Sequence, residues 1–81
     1  MSESGHQFAV FGFDSTHVAL QAESALLAAH EDVALIPTPR ALGTLCGFAV
    51  RVALEARGPA LKVLTEAGIE PTGEIEMSDR R

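Results

Sequence analysis

The hydrophobic and polar positions alternate between two rhythms. "QFAVFGF" (7–13) is a short apolar run with both alternating sides apolar: Phe8, Val10 and Gly12 on one, Ala9, Phe11 and Phe13 on the other. A run of this length and character predicts a central strand covered on both faces. In "DSTHVALQAESALLAAH" (14–30) the spacing changes, and Val18, Ala22, Ala25, Leu26 and Ala29 share one face of a helix, with Ala19 at its border. Asp14 or Ser15 supplies the N-cap oxygen, and the helix is expected to stop near His30 and Glu31. Leu20 and Leu27 point away from that face.

"VALIP" (33–37) predicts a second strand, ended by Pro37 and Pro39, which have no amide hydrogen to give a sheet. Residues 38–46 read as a loop, with Gly43 as its flexible point. "GFAVRVAL" (47–54) predicts a third strand, in which Arg51 lies on the face opposite Phe48, Val50 and Val52. A second helix spans 58–68, with Pro59 in its first position and Gly68 just past its end. Its buried side is Ala60, Leu61, Leu64 and Ala67. "IEPTGEIEM" (69–77) predicts a fourth strand, which Pro71 and Gly73 push to a sheet edge, and "SDRR" reads as a frayed tail.

The order strand, helix, strand, strand, helix, strand predicts an α+β ferredoxin-like βαββαβ fold. Two helices cover one face of a four-stranded antiparallel sheet, with the first and third strands central. The domain is expected over 7–77, with 1–6 and 78–81 as flexible tails. The second sheet face then stays apolar and exposed, or a partner covers it. A homodimer through that open face is the preferred account.

Length and charge narrow the function. With 81 residues the chain holds one small domain, and four Phe without Trp or Tyr leave Ala, Val, Leu and Ile to build most of the core. A formal net charge of -5 weighs against nucleic-acid binding, which needs clustered Lys and Arg. No apolar run approaches a membrane span, and the polar start lacks the layout of a secretory signal. A single cysteine suits a reducing cytoplasm.

That cysteine, Cys46, falls in the long stretch between Asp32 and Glu55 that contains no acidic residue, and Arg40 and Arg51 fall in the same stretch. The thiolate is the reactive form of cysteine, and nearby positive charge favours it. Gly47 removes a side chain beside the sulfur, which opens the sulfur and the backbone amides to an approaching group. Free cysteines are also among the most buried residue types, and Leu45 and Phe48 flank this one. On pattern alone a reactive Cys46 and a structural Cys46 stand about level.

The segments "FDSTHVALQAESALL", "ALIPTPRALGTLCGFAVRV" and "KVLTEAGIEPTGEI" resemble the selenium/sulfur carrier protein-like family of small bacterial domains. The resemblance runs from about Phe8 to Ile75 and rests on Pro39, Arg40, Cys46, Gly47 and Arg51 in order and spacing. Thr44 and Leu45 stand where the family commonly has small polar residues before its cysteine. The resemblance implies a carrier rather than an enzyme: Cys46 holds sulfur or selenium as a persulfide or selenosulfide and passes it to an acceptor thiol. Arg40, Arg51 and Gly47 would stabilise the anion, and the partners would be donor and acceptor proteins. No metal and no cofactor is called for.

His17 and Thr44 are candidate helpers of Cys46, His17 only if the "DSTH" turn approaches the loop. The histidines His6, His17 and His30 have no recognised zinc spacing. Neither "GFDST" nor "ALGTLCG" has the spacing of a phosphate loop. The alternatives to a carrier are a small-molecule-binding regulatory module and a dimeric interaction module with a structural Cys46.

Overall fold

The computed structural model describes residues 6–43 and 47–79. Strand β1 (His6–Gly12) leads to helix α1 (Thr16–Ala28) and strand β2 (Val33–Pro37). A 3₁₀ turn at Arg40–Leu42 precedes strand β3 (Phe48–Ala53), and a second turn at Leu54–Ala56 runs into helix α2 (Arg57–Glu66). Strand β4 (Gly73–Asp79) closes the order. The sheet order is β2-β3-β1-β4, with antiparallel neighbours throughout. This is the ferredoxin-like α+β arrangement, with β1 and β3 central.

Register sorts the side chains by face. Two rows cross the sheet beneath the helices: Leu35–Val50–Phe11–Glu74 and Val33–Val52–Ala9–Glu76. The β1, β2 and β3 members of these rows join Phe13, Ala19, Ala22, Leu26, Ala60 and Leu64 in the core. Phe11, Phe13, Leu26 and Leu64 are its largest fully buried side chains. Each is worth about 2 kcal/mol of transfer free energy. The outer strand β4 brings glutamates to this face instead. There Arg57, at the start of α2, forms a two-pronged ion pair with Glu74, one prong being Nη2 to Oε1 at 2.9 Å. This pair holds the Arg57 pKa above its ordinary value, chiefly through the hydrogen bond and then through the charge of Glu74.

Both helices begin and end for local reasons. The Ser15 hydroxyl accepts from the Val18 amide at 3.2 Å, which caps α1. Pro59 is the third residue of α2 rather than its first, because the turn at Leu54–Ala56 starts the coil earlier. It remains in the first turn, where an amide hydrogen has no helical partner. At their ends the helices share one device. Glu31 N donates to Leu26 O and His30 N to Leu27 O; Ile69 N donates to Leu64 O and Gly68 N to Thr65 O. This is the Schellman closure, which needs a left-handed residue after the cap. Gly68 fills it at φ 75° and His30 at φ 64°.

Three expectations change. Ala29 and Ala67 are exposed, since they are the cap residues where helical spacing stops. Strand β4 begins at Gly73, not at 69, because Ile69 closes α2 and packs against the core. It also runs through Ser78 to Asp79, in the segment read as a tail.

The second face of the sheet carries no helix, yet it is not bare. Its rows are Ile36–Ala49–Gly12–Gly73, then Ala34–Arg51–Val10–Ile75, then Ala53–Phe8–Met77. Val10 and Ala49 are fully buried there. A side chain placed on Gly73 would meet Leu42 Cδ2 at 3.4 Å, so the β2–β3 loop folds back over the first row. The chain thus covers part of this face itself. Among the described residues, no helix is long and apolar enough to cross a membrane.

Candidate functional site

The β2–β3 loop is the site that the sequence singles out, and its two ends are tied together. Pro37 pairs with Phe48 at the end of the ladder, and Thr38 N donates to Gly47 O at 3.0 Å. Between them, Leu42 N donates to Pro39 O at 3.1 Å and Gly43 N to Arg40 O at 3.0 Å. These bonds wind Arg40–Leu42 into one 3₁₀ turn. Gly43 ends it at φ 66°, a left-handed conformation that costs glycine little. The turn reaches from β2, at one edge, to Gly73 of β4, at the other. The Thr38 hydroxyl is buried at the base of the loop and has no hydrogen-bond partner among the described residues.

Cys46 and Thr44 lie outside the described residues, as does Leu45. Their neighbours are placed. Gly47 is exposed, and a methyl group on it would meet no atom of the described residues beyond its chain neighbours within 4 Å. Arg40 is exposed on the 3₁₀ turn of the same loop. Arg51 lies three residues beyond Phe48 along β3, about 10 Å at the usual strand rise. Its guanidinium carbon stands 4.2 Å from the centroid of the Phe8 ring. Phe8 pairs with Ala53, so Arg51 leans towards the end of β3 that lies away from the loop.

His17 is exposed in the first turn of α1. It lines an open groove of about 380 Å³ with Leu20, Gln21 and Ser24 of α1 and with Ala67 and Ile69 beyond α2. His30 stands at the far end of the same helix, so these two imidazoles do not converge. The structure therefore places Arg40 and Gly47 in the cysteine loop, and it sets Arg51 on the open face and His17 against the helix layer. A second feature escapes sequence reasoning. A depression of about 250 Å³ on the open face is lined by Phe8, Ile36, Arg51, Met77 and Ser78. These residues are scattered over three strands, and only the register unites them.

A ferredoxin-like domain with its one cysteine carried in a β2–β3 loop is the class that this fold and site define. The chain belongs to the family described as Putative Se/S carrier protein-like, which matches residues 8–76 and so includes Cys46. Searches of curated proteins and of solved structures returned no match.

Proposed function

We propose that the protein carries sulfur or selenium on Cys46. Membership of the carrier-like family over residues 8–76 is the observation that carries this reading. The exposed Gly47 and the Arg40 cation in the same loop support it. The partners are a donor protein and an acceptor protein, and the cytoplasm, where free thiols persist, is the matching compartment.

The chemistry is a balanced exchange. The Cys46 thiolate attacks the terminal sulfur of a donor persulfide. A new S–S bond forms on Cys46, the donor's S–S bond breaks, and the donor leaves as a thiolate. In the second step an acceptor thiolate attacks the terminal sulfur on Cys46. The acceptor becomes the persulfide and the Cys46 thiolate is restored. No external oxidant is consumed, and the selenium version follows the same course through a selenosulfide. Arg40 favours the anionic forms from within the loop, Arg51 only weakly and at longer range, and a small residue at 47 leaves room for the incoming sulfur.

Intact-mass spectrometry after incubation with a persulfide donor tests this. The wild type should gain the mass of one sulfur atom, which an acceptor thiol then removes. Cys46→Ala should gain nothing. An unmodified wild type, or an equal adduct on the variant, would end the proposal.

A further inference from the structure

We propose that the open sheet face holds a small organic carboxylate with a short apolar tail, bound by the Arg51 guanidinium in the depression formed with Phe8, Ile36, Met77 and Ser78. Arg51 is the charged residue of the middle row, Ala34–Arg51–Val10–Ile75, and it is partly buried there. Its guanidinium carbon stands over the Phe8 ring, 4.2 Å from the centroid. A guanidinium carries five N–H groups, so such a cation–π contact leaves donors for a further ligand. Among the described residues no carboxylate pairs with it, although the chain has 11 acidic residues, and the ion pair of the fold is formed by Arg57 and Glu74 instead. A partly desolvated guanidinium held at a ring and paired with none of the described carboxylates is a site for an oxyanion, which it can grip with two parallel hydrogen bonds.

The surroundings select the rest of the ligand. Ile36 and Met77 give the depression apolar walls, while Ser78, whose side chain alternates to the helix face, borders it along the β4 backbone. At about 250 Å³ it lies just below the usual range of pockets for larger ligands, so it suits a group of a few heavy atoms. Met77 is 38 % exposed, which leaves apolar surface for a tail to cover. A second copy of the chain fits less well. The three rows named above contain Arg51 and no carboxylate, so a two-fold contact centred on the middle row would bring two guanidinium groups together with no acidic residue of these rows between them. The site does not depend on sulfur chemistry at Cys46, and either proposal can fail without the other.

The full chain, followed by NMR, should be titrated with acetate, butanoate, hexanoate and hexanamide. Hexanoate should give saturable shifts at Phe8, Arg51 and Met77, acetate weaker ones, and neutral hexanamide none. Arg51→Gln should weaken hexanoate binding by about tenfold or more, as expected for loss of a charge-assisted contact. Met77→Glu retains Arg51 and should also lose binding, because it brings a competing carboxylate to the rim. Each variant's spectrum away from the face reports that it is folded. No saturable shift with any carboxylate, equal binding of the amide, or undiminished binding by Arg51→Gln would overturn the proposal. Shifts that follow protein concentration rather than ligand would assign the face to a second copy and overturn it as well.

Discussion

At the scale of single residues, His30 shows how the backbone can ask for one residue type and receive another. The two helices end by the same hydrogen-bonded closure, but one uses glycine and the other histidine. A residue with a β-carbon in the left-handed region is strained by about 1 kcal/mol. His30 is exposed. His30→Gly should therefore raise stability by about 0.5–1 kcal/mol, measured as a shift in the urea midpoint at unchanged slope. No gain would mean that the glycine's extra freedom in the unfolded chain cancels the relief of strain.

Elements explain which parts of the fold could be read beforehand. Strand and helix types follow from the period of apolar residues, and β2 (Val33–Pro37) was legible to the residue because prolines bound it. Ile69 was not, since an apolar residue that staples a helix end looks the same in sequence as one that starts a strand. The order of residues gave Arg40, Cys46 and Gly47 as neighbours in one loop. It could not give the crossing of that loop to Gly73, because such a contact joins residues 31 positions apart and depends on the strand order. Leu42 is the side chain that seats the loop there. Leu42→Ala should loosen it, and alkylation of Cys46 should then become faster while the midpoint for global unfolding changes little. An unchanged alkylation rate would mean that the Leu42 seat does not control access to the sulfur.

For the whole molecule, the main question is how one acidic domain separates its positive charges. Arg57 is spent on Glu74, Arg51 on the Phe8 ring, and Arg40 stands in the cysteine loop. Exposed charges are screened over about 8 Å at physiological salt. Arg51 lies about 10 Å from Phe48 by strand rise and leans further away. Arg40→Gln should therefore raise the Cys46 thiol pKa more than Arg51→Gln does, as read from the pH dependence of alkylation. The sign follows from the charge: removing a nearby cation disfavours the thiolate, so a higher pH is needed to form it. Added salt should shrink the difference. A larger effect from Arg51 would show that the sulfur sits over the open face rather than beside the 3₁₀ turn.

The β1–β4 ladder has one more consequence. It pairs His6 with Asp79 at one end and Gly12 with Gly73 at the other. The first and last strands thus leave the sheet side by side, with paired Cα atoms about 5 Å apart. They do so at the pole opposite the end that Leu42 covers. A tag, linker or neighbouring domain attached at either terminus would hang from that far pole. The described parts of the cysteine loop stand at the other pole, so an immobilised or fused version would leave them clear.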